Sequence, residues 1–286
     1  MAYGKAIELF LVNGTADSLI TAELSNWNGK AIKIPRIEIA SCSRDDITQA
    51  GVYFLFCKED DGSDSVYIGE AENVKERLVQ HLRDYQSEKE RYYWNTAVIF
   101  TGRDLNKALI RYLENRFVMI ARDSKRYLVL TKNTYRNTVM KESQIAVMEE
   151  FIENVKILIN ALGYKVLEPV AQQETQLEQS DEELLLLETA SANASGKVTT
   201  EGFVLFKGAV LNDKASAKSL SAGLQRLRQK LFDERKVQDS VTTEDILFSS
   251  SSAAADFVLG YSASGPRTWH AKDGRTLKEI EESQTT

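Results

Sequence analysis

The sequence is poor in the residues that usually announce a metal or redox centre. Among 286 residues there are two cysteines, Cys42 and Cys57, and two histidines, His81 and His270. Two cysteines make neither a zinc motif nor a disulfide framework, which fits a reducing cytoplasm. Two histidines exclude a multi-histidine metal site. Long apolar runs are missing as well. No stretch of eighteen apolar residues occurs, so no membrane span is expected. Glu8 and Asn13 interrupt the segment after Met1, so no secretory leader is expected and the expected location is cytoplasmic. No glycine-rich loop carrying a lysine is present, which argues against nucleotide hydrolysis. Asp60, Asp61 and Asp64 lack the spacing and terminal Glu of a calcium loop.

Positive charge is also in deficit overall, at a formal net charge of −6. Its distribution is uneven. Between Arg103 and Lys141 there are ten Lys/Arg against three acids; between Lys165 and Ser195 there is one Lys against seven acids. A local positive face is what binds phosphate, and the total conceals it. Arg111, Arg116, Arg122, Lys125, Arg126 and Lys132 in the basic stretch are the candidate nucleic-acid contacts.

What remains is an ordinary globular composition, 43% hydrophobic and 27% charged, long enough for two or three domains. The most informative stretch runs from Gly51 to His81. Gly51–Phe56 is a β-branched and aromatic run. Asp60–Asp64 is rich in turn formers, and Ser65–Ile68 is a second strand that Gly69 ends. Glu72–Leu82 then fits a helix, with Val74, Leu78 and Leu82 four apart. An antiparallel hairpin brings Tyr53 and Tyr67 close together, and Arg77 and His81 share one helix face.

This stretch resembles the GIY-YIG nuclease family. Gly51-Val52-Tyr53 stands for the first triplet, with Val in place of Ile, and Tyr67-Ile68-Gly69 matches the second. The tyrosines are fourteen residues apart. Arg77 on the following helix, Glu114 on a later one and Asn133 beyond it occupy the family's downstream polar positions in order. His81 matches a histidine found in part of the family. The resemblance covers roughly residues 51–136. It implies Tyr53 as general base, Tyr67 beside it, Arg77 gripping the scissile phosphate, Glu114 holding Mg²⁺ (Mn²⁺ can substitute), and Asn133 orienting the site. His81 would assist proton transfer or hydrogen-bond the phosphate. A phenol has a pKa of about 10, so such a base demands nearby positive charge. Singly, each residue has a plain alternative. The tyrosines could sit at a hairpin's core edge, Arg77 could pair with Glu72 or Glu76, His81 could be solvated, Glu114 could bridge to Arg111 or Arg116, and Asn133 could form a turn.

Around this unit, residues 1–50 read as a β-rich extension. Residues 51–165 form the nuclease-like domain, with Asp104 a natural helix N-cap and an amphipathic trailing helix over Glu142–Leu162. Residues 166–197 read as an acidic linker, apart from the four-leucine run Leu184–Leu187. Residues 198–286 form a second compact unit. This tail resembles a C-terminal domain of unknown function found behind GIY-YIG nucleases, and a module associated with adenine methylases and restriction enzymes that is thought to read modified DNA. Phe248-Ser249-Ser250, Ala253–Ala255, Leu259–Ala263, Trp269 and Asp273–Leu277 carry that resemblance. Ser264 stands where the module usually has Asn. Trp269 is the tail's candidate nucleic-acid contact.

The expected fold class is α+β, a small mixed or antiparallel sheet flanked by helices, with an N-terminal β add-on and a C-terminal small α+β domain. The expected function is a metal-dependent endonuclease with Mg²⁺ as cofactor. The partner is nucleic acid, with DNA favoured over RNA through the tail; no membrane is involved, and nothing in the sequence fixes an oligomeric state. A restriction or phage-defence role and a role in repair both fit this combination, and the sequence does not choose between them. The alternatives are a non-catalytic reader of modified nucleic acid, or an RNA-cleaving nuclease.

Overall fold

The computed structural model describes residues 4–59, 62–132, 134, 139–169, 184–214 and 219–284. The chain divides into two compact units, 1–169 and 170–286. Among the described residues no helix is long and apolar enough to cross a membrane.

The first unit runs β1 (Ile7–Leu11), β2 (Ile20–Leu24), β3 (Gly29–Pro35), β4 (Gly51–Lys58), β5 (Asp64–Ala71), α1 (Val74–Gln86), β6 (Trp94–Gly102), α2 (Lys107–Ser124), β7 (Leu128–Val129) and α3 (Glu142–Ala161). Its seven strands form one sheet in the order β1-β2-β3-β6-β4-β5-β7. All pairings are antiparallel except β5 with β7. The N-terminal strands therefore extend the sheet itself, through β3 against β6.

β4 explains why the run Gly51–Phe56 does not alternate between apolar and polar. Both faces of this central strand are covered, so both must be apolar. Val52, Phe54 and Phe56 point into a core closed by α2 and α3, where the Phe54 ring meets Phe100 and Phe117 at 5.9 and 5.3 Å. Tyr53, Leu55 and Cys57 point into the opposite core with Val74 and Leu78 of α1. Truncating a ring such as Phe54 to Ala would cost about 3–5 kcal/mol.

Three element boundaries differ from the sequence reading. Gly69 does not end β5, which continues to Ala71. α1 starts at Val74, because the Asn73 side chain accepts the Glu76 N–H and makes the cap. At α2 the cap is Asn106, not Asp104. The Asn106 carboxamide oxygen accepts from both Ala108 and Leu109 N–H, at 3.0 and 3.2 Å.

The second unit runs β8 (Leu185–Glu188), β9 (Asn193–Thr199), β10 (Gly202–Leu205), α4 (Ala222–Asp233), β11 (Val237–Gln238), β12 (Val241–Thr242), β13 (Ile246–Phe248), α5 (Ser251–Leu259), α6 (Gly265–Thr268), β14 (His270–Ala271) and α7 (Leu277–Gln284). Five strands make an antiparallel sheet in the order β13-β10-β9-β8-β14, and β11 pairs with β12. The expected linker over 166–197 is thus corrected in its second half. The leucine run is β8, and its Leu185 and Leu187 enter the core with Phe203, Phe248, Phe257 and Trp269. Residues 170–183 of that segment lie outside the described residues. Together the two units make an α+β protein, as the sequence predicts.

Candidate active site

Tyr53 and Tyr67 come from the β4–β5 hairpin. The register sets Tyr53 opposite Gly69 and Leu55 opposite Tyr67. Both tyrosines therefore project from one face, diagonally placed, with ring centroids 6.3 Å apart. The triplet glycines have steric reasons. A Cβ on Gly69 would overlap the Tyr53 phenol, and a Cβ on Gly51 would overlap the Phe100 carbonyl of β6. Gly69 leaves the space in which the Tyr53 ring lies.

α1 crosses this face. Val74, Leu78 and His81 form its buried stripe, and Arg77 sits one turn before His81. Arg77 Nε donates to Tyr53 Oη at 3.4 Å, so Arg77 meets the phenols rather than Glu72 or Glu76. His81 is 0% exposed. Its Nε2 lies 2.9 Å from Tyr53 Oη, and its Nδ1 lies 2.7 and 2.9 Å from the two Glu90 carboxylate oxygens. His81 is therefore not a solvated helix residue. With both nitrogens engaged inside the fold, it is not placed to contact a phosphate.

Glu114 reaches the same place from α2. It is 6% exposed, and its Oε2 is buried with no hydrogen-bond partner among the described residues. Lys107, Arg111 and Glu114 fall on one helical stripe that meets Glu70 of β5. Lys107 Nζ lies 2.9 Å from Glu70 Oε2, and Arg111 Nε 3.7 Å from Glu70 Oε1. The segment after β7 is stitched to the edge of β5 by Thr131. Its hydroxyl accepts the Ile68 N–H at 2.8 Å and donates to the Ile68 carbonyl at 2.7 Å.

Tyr53, Tyr67, Arg77 and Glu114 all line one open cleft of about 750 Å³, together with Glu70, Lys107, Gln80 and Thr134. Asn133 lies outside the described residues. Burial, then the Glu70 carboxylate, push Glu114 up to about 7, against Lys107, Arg111 and Arg77. Burial, then Tyr67, push the Tyr53 phenol far above its ordinary value, and Arg77 only partly opposes this. The positive charge expected beside the phenol is present, but desolvation outweighs it. Tyr53 rests as a neutral phenol.

Glu70, Glu90, Lys107 and Tyr92 were not singled out from the sequence. Each is an ordinary polar residue locally, and its role comes from long-range packing. The expected nucleic-acid contacts divide. Arg116 is held bidentately by Glu149 at 2.7 and 2.8 Å. Arg122 donates to the Thr131 carbonyl at 2.6 Å, and Arg126 to the Glu168 carbonyl at 2.7 Å. Lys125 and Lys132 are exposed. Trp269 is a correction. It is 0% exposed, packs at a tilt against the Phe203 ring with centroids 4.5 Å apart and donates its indole N–H to the Ser251 carbonyl at 2.9 Å. A buried indole whose single donor is already satisfied offers a base no face, so Trp269 is a packing residue.

No group of three or more His, Cys, Asp or Glu suited to a metal occurs among the described residues. One orphaned carboxylate oxygen in a polar cleft nevertheless fits a cation that keeps most of its waters, as Mg²⁺ does.

A paired-tyrosine hairpin, an arginine on the next helix and a buried carboxylate thus share one cleft. Residues 49–125 match the GIY-YIG catalytic domain, and residues 185–281 match a domain of unknown function, DUF4357. The chain thus joins a GIY-YIG domain, of the GIY-YIG nuclease type, to a C-terminal DUF4357 domain. No curated protein and no solved structure matches the chain.

Proposed function

We propose that the protein is a divalent-metal-dependent endonuclease that hydrolyses phosphodiester bonds, with DNA as its favoured substrate. The carrying observation is the convergence of Tyr53, Tyr67, Arg77 and Glu114 on one cleft. Glu114 would hold Mg²⁺, and the bound cation would supply Lewis-acid stabilisation of phosphoryl charge. The remaining chemistry belongs to the chain. Arg77 binds the scissile phosphate through the outer edge of its guanidinium while its Nε stays on Tyr53. Tyr53 takes the proton of the attacking water, and Tyr67 orients that water. Glu70, neutralised by Lys107 and Arg111, keeps the floor of the cleft polar beside Glu114. The preference for DNA rests on the C-terminal domain's resemblance to a modified-DNA reader. Lys132, exposed at the surface, is a basic residue that would meet a phosphate backbone.

The test is cleavage of labelled single- and double-stranded DNA and RNA with Mg²⁺ or Mn²⁺, beside an EDTA control and Glu114→Ala. Metal-dependent cutting that the substitution abolishes is the expected result, and the substrate cut names the class. A wild type that binds nucleic acid but cuts none of the four would move the protein to the non-catalytic readers.

A further inference from the structure

The proposed mechanism asks a buried phenol to act as a base. Tyr53 lines the cleft on one side but is only 1% exposed, and on its interior side the group within reach of its hydroxyl proton belongs to the fold. His81 Nε2, at 2.9 Å, is that group. It is an acceptor in only one tautomer, the one with the proton on Nδ1. What decides the tautomer is whatever faces Nδ1. Both oxygens of Glu90 do so, at 2.7 and 2.9 Å, and an ionised carboxylate can only accept.

We propose that Glu90 is the positioning residue of a Tyr53–His81–Glu90 relay. Its carboxylate keeps the proton on His81 Nδ1 and so makes Nε2 the acceptor of the Tyr53 hydroxyl proton. This rests on the nuclease reading above and deepens it.

The connector between α1 and β6 is shaped to deliver Glu90. Glu88 adopts a left-handed φ of 58°, and the Lys89 and Glu90 N–H groups both donate to the Asp84 carbonyl, at 2.9 and 3.2 Å. The turn folds the chain back under α1, and the Glu90 side chain is only 16% exposed. The other ionisable groups around the relay are consistent with it. Arg77 donates to Tyr53 Oη from the cleft side, where it would stabilise a phenolate. Tyr67 sets its ring against His81 at 5.2 Å and stacks on Tyr92 at 5.5 Å. Tyr92 Oη lies 3.5 Å from Nδ1, and burial, then the nearby Glu90 carboxylate, raise the Tyr92 phenol, so Tyr92 flanks the His81–Glu90 contact.

The proton balance closes. The Tyr53 O–H bond breaks, its proton passes to His81 Nε2, and the electron pair stays on the phenolate oxygen. The imidazolium lies against the Glu90 carboxylate. The phenolate takes a proton from water as the new O–P bond forms, and the P–O bond to the leaving oxygen breaks with its pair. The leaving oxygen takes a proton from solvent in the cleft, Tyr53 gives the proton it took from water to that same solvent, and Nε2 returns its proton to the Tyr53 oxygen, since His81 itself is fully buried.

Glu90→Gln, Glu90→Asp and Tyr92→Phe test this in the full chain, by cleavage kinetics and by ¹⁵N NMR of the histidine rings. With two histidines in the sequence, a His270→Gln variant assigns the spectrum. Glu90→Gln is expected to lower kcat by roughly 10²-fold with KM unchanged. The His81 tautomer should shift away from Nδ1–H, because the carboxylate that accepts from Nδ1 is gone. Glu90→Asp should recover part of the rate, and Tyr92→Phe should have a smaller effect in the same direction. A lowered rate with an unchanged His81 tautomer overturns the relay and makes Glu90 a packing residue. So does a Glu90→Gln enzyme at wild-type rate. If wild type cuts no nucleic acid, the nuclease reading fails, and the NMR comparison still decides whether Glu90 sets the tautomer.

Discussion

Tyr53 and Trp269 are the two aromatic residues that the sequence most invites one to treat as functional. Each is almost wholly buried, at 1% and 0% exposure, and each donates one hydrogen bond. What separates them is the partner. The Trp269 N–H meets the backbone carbonyl of Ser251, a group with one protonation state. The Tyr53 hydroxyl meets an imidazole and a guanidinium. The surroundings differ in the same way. Trp269 packs among Phe203 and other apolar side chains, whereas Tyr53 also borders an open cleft. Burial therefore does not separate the two residues; the groups that meet the polar tip do.

The sharpest way to break this contrast is to remove the ring that is only structural. Trp269→Ala should destabilise the C-terminal unit by about 3–5 kcal/mol through loss of buried area and the cavity left behind, read by urea denaturation. Trp269→Phe should cost about 1–2 kcal/mol and leave nucleic-acid affinity unchanged. A folded Trp269→Phe protein that no longer binds would return Trp269 to the binding surface and erase the distinction.

Tyr53→Phe is the converse experiment. It keeps the ring and deletes the tip. Stability should fall by only about 1–2 kcal/mol, since one buried acceptor on His81 is left unpaired. Cleavage should fall by roughly 10²–10⁴-fold, the range for a lost general base. Equal losses in folding and rate would mean that Tyr53 matters as Trp269 does.

How much of this was legible beforehand follows from how far apart the partners lie. The β4–β5–α1 unit is written locally: an apolar run, turn residues and a spacing of four. Tyr53, Tyr67 and Arg77 fall on it at family positions, and their convergence with Glu114 follows. Glu90 reaches His81 from nine positions on, past the end of α1, and Lys107 reaches Glu70 across thirty-seven. No periodicity marks such pairs. The leucine run of β8 failed differently. A four-residue apolar stretch beside an acidic segment is ambiguous between strand and loop, and only its pairing with β9 and β14 decides it. Trp269 was misassigned because an aromatic residue in a module with a suggested binding role looks the same whether it lines the surface or the core.

Glu114 offers a smaller effect with a defined sign. Its folded pKa of about 7 lies above the ordinary 4.5, so the folded state disfavours the charged form. That penalty is absent below about pH 4.5, grows as pH rises, and is complete above about 7. Wild type should therefore lose about 2 kcal/mol of stability relative to Glu114→Gln between pH 4.5 and 8, after allowance for solvent screening. Because a cation competes with that proton, Mg²⁺ binding measured by calorimetry should tighten up to about pH 7 and level off beyond. Flat behaviour in both would place the proton elsewhere.

The smallest effect concerns the arginines that the basic stretch offered as phosphate contacts. Arg116 lies in a network in which the Glu149 carboxylate accepts from it twice and from the Tyr112 hydroxyl at 2.6 Å. The network joins α2 to α3 near the surface, with both charged side chains about one-third exposed, so breaking it should cost only about 0.5–1 kcal/mol. Arg116→Ala should show that loss in folding, diminishing at high salt, and should leave the salt dependence of nucleic-acid binding as it is. Lys132→Ala should do the reverse: no change in folding, and a log K against log salt slope reduced by about 1. If Arg116→Ala also reduces that slope, Arg116 leaves Glu149 for phosphate when the substrate arrives. The partner would again decide the role, as it does for Tyr53 and Trp269.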